Sequence, residues 1–192
     1  RYDLTIAYDV STCAFVKDVD PDTDALAGTS FGGRPDKSRH HVQGIEINPD
    51  GKKIFLVFND VNGNGDGVKE YNLSTPYDIA TMSLVTSGGI HLSKGAAGFN
   101  PDAIFIGLNG KRLFVTDHDK YTVTQFTLHN PYDTSSFTKD GSVSIQDLTS
   151  DNNNQTRALG FSKNGLKMFV SDDTGDDEIF EFNLACPFNI IA

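Results

Sequence analysis

The stretch GIEINPDGKKIFLVFND, residues 44–60, contains the pattern that decides the fold. An apolar segment leads into Asp50-Gly51, and a longer apolar run follows the glycine. The same pattern returns as AIFIGLNGKRLFVTDHD from Ala103 and as ALGFSKNGLKMFVSDD from Ala158. Asp-Gly or Asn-Gly between apolar runs is the strongest local signal for a β-hairpin. Each copy therefore predicts two strands joined by a tight turn.

A second phrase follows each hairpin and marks two further strands. It reads YNLSTPYDIAT from Tyr71, FTLHNPYDTSS from Phe126 and FNLACPFNIIA from Phe182, and it also opens the chain as YDLTIAYDVST from Tyr2. The residues before each turn alternate between apolar and polar, which is typical of a half-exposed strand. Four short strands in each repeat of about 55 residues predict an all-β fold of β-propeller blades. A β-solenoid is the alternative, although solenoid repeats are usually shorter.

The positions of the phrases divide the chain within a single β-propeller-repeat domain, residues 1–192. We expect a partial blade at 1–20, blades at 42–90 and 100–148, and a blade at 157–192 that lacks its last strand. We also expect the apolar second strands to lie in the core, including Phe55, Val57, Phe114, Phe169 and Val170.

The composition excludes several classes of partner. The formal net charge is -10 and the sequence pI is about 4.7. Nucleic acid is bound mainly by neutralising its phosphates with Lys and Arg, so this charge argues against a nucleic-acid partner. It also argues against anionic membranes, and no apolar run approaches the roughly 18 residues of a membrane span, so we expect no membrane insertion.

The repeats also resemble a known family. INPDGKKIFLVFND followed by VKEYNLSTPYDIAT is similar to the repeats of bacterial extracellular propellers with the pattern SPDGxxLYVTD…VYxYxLSTPxDI, which are relatives of the YVTN and NHL propeller repeats. The resemblance covers nearly the whole chain and implies a propeller fold. It says little about function, because propellers include enzymes, lectins and scaffolds.

The two ends of the chain suggest contacts between copies. The first residues correspond to a third and fourth strand, whereas the last repeat stops after its third strand. Unpaired strand edges tend to pair with other strands, so residues 2–16 are predicted to add to residues 178–184 of a neighbouring chain. Such head-to-tail contacts close into a ring or continue as a filament. The expected interface residues are Tyr2, Leu4, Tyr8, Phe180, Phe182 and Leu184.

The two cysteines fit this arrangement. Cys13 begins a fourth strand and Cys186 ends a third strand, so the two would flank one turn of a completed blade. A disulfide between chains is predicted, and it implies an oxidising, extracellular location. The alternatives are two free thiols or a fragment cut from a longer propeller.

One loop has the spacing of a cation site. Asp60, Asn62, Asn64 and Asp66 place oxygen ligands at alternate positions among glycines, as calcium loops do. The pattern departs from such loops at its twelfth position, where Tyr71 replaces the usual Glu. Calcium is thus the one cofactor that we consider, and a Gly/Asn hairpin loop is the alternative.

Other signals bear on modification and catalysis. Asn72 and Asn154 stand in sequences that can accept an N-glycan. No motif of a hydrolase or zinc site is present, and Glu46 is the only acid in the predicted first strands, so no catalytic residue is assigned. We therefore expect a non-enzymatic, secreted or cell-surface protein that assembles with itself. A ligand- or glycan-binding propeller module is the first alternative and a lactonase-like propeller hydrolase is the second.

Overall fold

The computed structural model describes residues 2–5, 9–19, 40–60, 66–92, 99–149, 155–173 and 178–191. These residues form fourteen strands and one short α-helix, α1 (Ile145–Thr149). The strands are β1 (Tyr2–Leu4), β2 (Cys13–Phe15), β3 (His40–Ile47), β4 (Lys53–Asp60), β5 (Gly67–Leu73), β6 (Met82–Leu84), β7 (Ile90–His91), β8 (Pro101–Gly107), β9 (Arg112–Asp117), β10 (Thr122–Asn130), β11 (Asp133–Ser144), β12 (Thr156–Phe161), β13 (Lys167–Asp172) and β14 (Ile179–Asn183).

The strands form antiparallel sheets that follow the chain order. Blade one has the order β3-β4-β5-β6, with β7 also paired to β5. Blade two has the order β8-β9-β10-β11, and blade three has the order β12-β13-β14. A separate two-stranded sheet, β1-β2, precedes them. The predicted all-β architecture of propeller blades is confirmed.

The repeated phrases correspond to two turns that lock onto each other. In blade two the turn residue Gly110 has φ +87° and lies under the ring of Tyr132, whose own φ is +55°. The backbone N–H of Tyr132 donates to the carbonyl of Gly110 over 3.0 Å. A Cβ at Gly110 would lie 2.4 Å from the Tyr132 ring, so only glycine fits there. The same pair recurs as Gly51 with Tyr77 and as Gly165 with Phe188.

The acid or amide after each of these aromatic residues caps the corner into the next strand. The side chains of Asp78, Asp133 and Asn189 accept hydrogen bonds from the backbone N–H groups of Ala80, Ser135 and Ile191. Asp9 accepts from Ser11 in the same way, at the start of the chain. The phrase returns because the geometry of the corner between third and fourth strands requires it.

Apolar side chains join the blades at two junctions. The first junction, between blades one and two, is built from Phe55, Val57, Ile104, Leu113 and Val115 together with neighbouring apolar residues. The second junction, between blades two and three, contains Phe114, Val123, Met168 and Val170. Of the predicted core, Phe55, Val57, Phe114 and Val170 are buried.

The prediction for Phe169 is wrong, since this residue is only half-buried. Successive side chains of a strand point to opposite faces, and Met168 and Val170 face blade two. Phe169 therefore lies on the other face of blade three.

The first strands of the blades lie side by side. A Cβ at Gly44 of β3 would lie 2.7 Å from the carbonyl oxygen of Asp102 in β8, so the two backbones approach closely. Strands β8 and β12 are also neighbours. We call the end of the blades at which these strands begin the upper end, and the end with the glycine turns the lower end. The upper end therefore brings residues of adjacent blades together.

In the described part of the chain, no helix has the length and apolar character that crossing a membrane requires.

Candidate functional site

The upper end of the second junction carries a charged cluster. Asp102 of β8 and Arg157 of β12 stand at the same position of the repeat, eight residues before the turn glycine. Because their strands are neighbours, the two side chains meet, and Arg157 Nη1 donates to Asp102 Oδ2 over 2.8 Å. We call Asp102, His118, Arg157 and Asp173 the upper cluster.

Arg157 holds the upper cluster together. Its Nε donates to Asp173 Oδ2 over 2.6 Å, and Nη1 also donates to His118 Nδ1 over 2.8 Å. Burial lowers the pKa of Arg157, but the hydrogen bonds and charges of Asp102 and Asp173 outweigh this effect and raise it above its usual value. The guanidinium therefore stays charged and fixes the two carboxylates on either side of it.

The hydrogen bonds of His118 define its tautomer. Nδ1 receives the Arg157 hydrogen bond and must therefore carry a lone pair, because a guanidinium can only donate. Nε2 lies 2.6 Å from Gln155 Oε1, which is an acceptor, so Nε2 carries the proton. His118 is thus held as a neutral ring that supports Arg157 and faces Asp102 Oδ2 at 3.6 Å.

Asp102 has one oxygen that these contacts do not use. The side chain is 8% exposed, and Oδ1 is buried without a hydrogen-bond partner among the described residues. A buried carboxylate oxygen is normally paired, so an unpaired one points to a bound water, an ion or a reacting group. This oxygen is the chemically most distinctive atom of the upper cluster.

A buried acid supports the turn that carries His118. Asp117 Oδ1 accepts hydrogen bonds from the backbone N–H groups of Asn100, Asp119 and Lys120. Burial raises the pKa of Asp117, and the backbone hydrogen bonds partly offset this rise. Thr156 also donates its hydroxyl to the Asp117 carbonyl over 2.9 Å. These bonds fix the loop after β9 relative to the start of β12, and therefore fix His118 relative to Arg157.

Asp102 and Arg157 each lie one residue upstream of the first strand that the sequence predicts. The predicted first strands began at Ala103 and Ala158, whereas β8 begins at Pro101 and β12 at Thr156. The predicted strands therefore do not include the two charged residues that meet at the upper end. Aligning each copy one residue further upstream shows Asp and Arg at one repeat position, and this signal could have found them.

Glu46, the acid within the predicted first strands, lies in blade one. It stands opposite Phe55 in the strand register and is half-buried. Burial raises its pKa to about 7. It has no part in the upper cluster.

The predicted calcium loop lies mostly outside the described residues. Asn62 and Asn64 belong to the part that is not described, as does the side chain of Asp60, whereas Asp66 is fully buried. Among the described residues, no group of three or more His, Cys, Asp or Glu side chains is placed to hold a metal ion. Calcium binding stays a prediction.

The structure also shows where the two cysteines and one of the two possible glycosylation sites lie. Cys13 and Cys186 are exposed, free thiols, so the structure shows no disulfide, and the bond between two chains stays a prediction. Asn72 is exposed on β5, and Asn154 lies outside the described residues.

The predicted interface residues fall at the two ends. Strand β1, with Tyr2 and Leu4, pairs with β2 of the same chain, and Tyr8 is not described. Phe180, Phe182 and Leu184 pack against the apolar cluster of the second junction. Pairing between chains stays a prediction.

Comparisons with known proteins bear on the fold. No protein-family model matches the sequence, and no curated protein matches it either. Solved structures do match. A candidate 6-phosphogluconolactonase from Bacteroides uniformis has a TM-score of 0.56 and 16% identity, covering 77% of this chain and 38% of its own. The periplasmic gluconolactonase of Pseudomonas aeruginosa has a TM-score of 0.56 and 17% identity, covering 76% of this chain and 37% of its own.

A second Bacteroides protein gives the same result. A candidate 6-phosphogluconolactonase from Bacteroides fragilis has a TM-score of 0.55 and 16% identity, covering 76% of this chain and 38% of its own. The chain thus spans less than two fifths of the length of these proteins.

These findings correct the expected function. The expectation of a non-enzymatic assembly protein is wrong, because three of the solved structures with a similar fold are named as lactonases. The expected lack of catalytic residues rested on predicted first strands that begin one residue after Asp102 and Arg157, so the charges of the upper cluster were not included. The chain has the β-propeller fold of these lactonases.

Proposed function

We propose that this protein is a hydrolase that opens the ring of a sugar lactone at the upper cluster. The observation that carries the proposal is the buried, unpaired Oδ1 of Asp102 beside the charged Arg157. The named activities of the structures with the same fold favour a lactone over other esters. The resemblance to YVTN-type repeats and a location outside the cytoplasm are part of the same proposal.

Asp102 supplies the base. In lactone hydrolysis a water oxygen forms a bond to the ring carbonyl carbon, and the ring C–O bond then breaks. Asp102 Oδ1 accepts the proton of the attacking water and later returns it to the leaving ring oxygen, which becomes a hydroxyl. The hydrogen bond from Arg157 to Oδ2 orients the carboxylate and leaves Oδ1 without a partner among the described residues.

Arg157 supplies positive charge. The tetrahedral intermediate carries a negative oxygen, and a fixed cation in a partly buried site stabilises that charge more than water does. The guanidinium side chain is 37% exposed, so a substrate can approach it. His118 and Asp173 act as positioning residues, since each binds Arg157 directly.

The charge balance of the site favours an unphosphorylated lactone. Two carboxylates, Asp102 and Asp173, flank one guanidinium, and His118 is neutral in the tautomer described above. The site thus has no positive charge to spare for a phosphate, and the formal net charge of the chain, -10, also repels one.

Hydrolysis of gluconolactone, measured against its uncatalysed rate, tests the proposal. We expect the wild-type chain to accelerate the reaction, and Asp102→Asn to reduce kcat by about 10²-fold or more. Arg157→Lys keeps the charge but loses the planar fork, so it should also reduce kcat. Glu181→Gln alters an exposed acid of blade three and is the matched control.

Two results would contradict the proposal. One is a wild-type rate that equals the uncatalysed rate. The other is an Asp102→Asn variant that is as active as the Glu181→Gln control. A preference for 6-phosphogluconolactone would overturn the inference on phosphate alone.

A further inference from the structure

The second junction has a polar pocket at its lower end, opposite the upper cluster. Its volume is about 290 Å³. Arg112 begins β9 and Asp117, the residue before His118, ends it, so the two ends of this strand lie about 17 Å apart at about 3.3 Å per residue. The lining residues of this lower pocket are Arg112, Gln125, Thr127, Asp140, Asn189 and Ile191.

Hydrogen bonds hold the walls of the lower pocket in place. Asp140 accepts from Arg112 Nη1 over 2.8 Å, from Gln125 Nε2 over 2.7 Å and from the Thr127 hydroxyl over 2.8 Å. Gln125 is 1% exposed, and its Oε1 accepts from the backbone N–H of Ile190 in blade three over 2.9 Å. The pocket is therefore formed before any ligand arrives.

Besides the buried Arg112 Nε, two donor groups of the lower pocket make no hydrogen bond to a described residue. Arg112 Nη1 donates hydrogen bonds to Asp140 and Thr127, whereas Arg112 Nη2 makes no hydrogen bond to any described residue. Asn189 uses its Oδ1, which accepts from Ile191 N and Gln125 Nε2, while its Nδ2 makes no bond within the described residues. A ligand that supplies acceptors can bind both groups.

The other groups narrow the ligand class. The charge of Asp140 balances that of Arg112, so the lower pocket offers no net attraction to an anion. Asp140 can accept from a donor on the ligand, and Ile191, 40% exposed, adds an apolar wall. Hydroxyl groups both donate and accept, whereas a carboxylate or phosphate only accepts and would lie against Asp140. The volume lies at the small end of ligand pockets.

Blade packing alone does not require this arrangement. At the first junction Glu70 stands in place of Gln125 and pairs with Lys53, while Val85 stands in place of Asp140. At the first junction the acid, Glu70, therefore lies on the third strand of its blade. At the second junction the acid, Asp140, lies on the fourth strand. A residue set that departs from the repeat in this way, and leaves donors unused, is typical of a binding site.

We propose that the lower pocket binds one unit of a neutral sugar. Arg112 Nη2 and Asn189 Nδ2 donate to its hydroxyl oxygens, and Asp140 accepts from a hydroxyl. This site is separate from the proposed hydrolytic site and does not depend on it.

Saturation-transfer NMR with D-glucose, D-galactose and D-mannose as probes at millimolar concentration tests the proposal. At least one of the three sugars should give a signal with the wild-type chain. Ile191→Trp fills the pocket without removing any hydrogen bond described above, and we expect it to abolish the signal. Ser135→Trp places the same side chain at the equivalent corner of the first junction, and it should bind as the wild type does.

A second variant covers the case in which the tryptophan disturbs folding. Arg112→Lys keeps the charge beside Asp140 but removes Nη2, and we expect it to weaken sugar binding about tenfold. Thermal melts show whether each variant is folded, and lactone hydrolysis by Ile191→Trp should equal that of the wild type.

Three outcomes would overturn the proposal. These are no signal for any of the three sugars with the wild-type chain, an undiminished signal with folded Ile191→Trp, or binding of gluconate but of no neutral sugar. None of these outcomes depends on whether the chain hydrolyses lactones, so the two proposals fail separately.

Discussion

The two junctions share one hydrogen bond, from a backbone N–H to a side-chain oxygen, and surround it with different side chains. At the first, Glu70 Oε2 accepts from the Thr134 N–H over 2.8 Å, and at the second, Gln125 Oε1 accepts from the Ile190 N–H over 2.9 Å. In both cases the third strand of one blade holds the corner of the next blade. This shared bond joins the blades.

The upper ends of the junctions differ more strongly. The first junction has an amide pair, in which Asn59 donates to Asn100, and the exposed Gln43 stands at the repeat position of Asp102 and Arg157. The second junction has the charged upper cluster. Positions at which the repeats agree maintain the blades, whereas positions at which they differ carry the proposed chemistry.

The largest expected effect is at the first junction. Glu70 is 1% exposed and binds Lys53 as well as Thr134, so Glu70→Leu leaves the Lys53 ammonium without its carboxylate and the Thr134 N–H without an acceptor. We expect a loss of about 3–5 kcal/mol in the free energy of unfolding, measured by chemical denaturation. Glu70→Gln retains an acceptor for Thr134 and should lose less. Equal losses in the two variants would contradict the account.

The next largest expected loss of stability is at the contact between the glycine turn and the aromatic residue of the corner. Gly110→Ala places a Cβ against the Tyr132 ring at a φ that L residues rarely adopt, so about 2–4 kcal/mol of stability should be lost. Gly160→Ala is the matched control, because a Cβ there meets no heavy atom within 4 Å. Chemical denaturation of both variants checks the prediction, and a Gly110→Ala variant as stable as its control would refute it.

Gln125 stands at the repeat position of Glu70, and replacing it should destabilise the protein less than replacing Glu70 does. Gln125→Leu leaves the Ile190 N–H without an acceptor, but Asp140 keeps Arg112 and Thr127 as partners. Because the group that is lost is a neutral amide, we expect the free energy of unfolding to fall by about 1–3 kcal/mol, measured by chemical denaturation. If Gln125→Leu proved as costly as Glu70→Leu, the charge at the first junction would not explain the difference.

The fold follows from local signals, and the upper cluster does not. Asp-Gly and Asn-Gly mark the turns, and the Pro-aromatic phrase marks the corners, so the strands of each blade can be read directly from the sequence. The pairing of Asp102 with Arg157 depends on how two first strands lie beside each other, which no local pattern specifies. Phe169 shows the same limit, because its burial depends on which face meets the neighbouring blade.

The smallest expected effect depends on pH and lies at Glu46. Its pKa is raised from 4.5 to about 7 by burial, so the folded state holds the proton more tightly than the unfolded state does. The wild type should therefore lose stability as the pH rises from 4.5 to about 7, and little beyond. Because the group is partly exposed, we discount the loss to about 1–2 kcal/mol.

Glu46→Gln should remove this loss. Denaturation midpoints of the variant and the wild type, measured across that pH range, are expected to converge at low pH and to separate in favour of the variant at neutral pH. The exposed Glu181→Gln is the control. A constant difference at every pH would show that protonation of Glu46 is not the cause.

The most direct test of the proposed hydrolysis replaces one residue of the second junction with the residue found at the same position of the first. Asp102→Gln gives the second junction the residue that Gln43 provides in blade one, and it removes the carboxylate from the upper cluster. We expect kcat/KM for gluconolactone to fall at least about a hundredfold, with the variant still folded by its thermal melt. An unchanged kcat/KM, or a wild-type rate no faster than the uncatalysed reaction, would contradict the account.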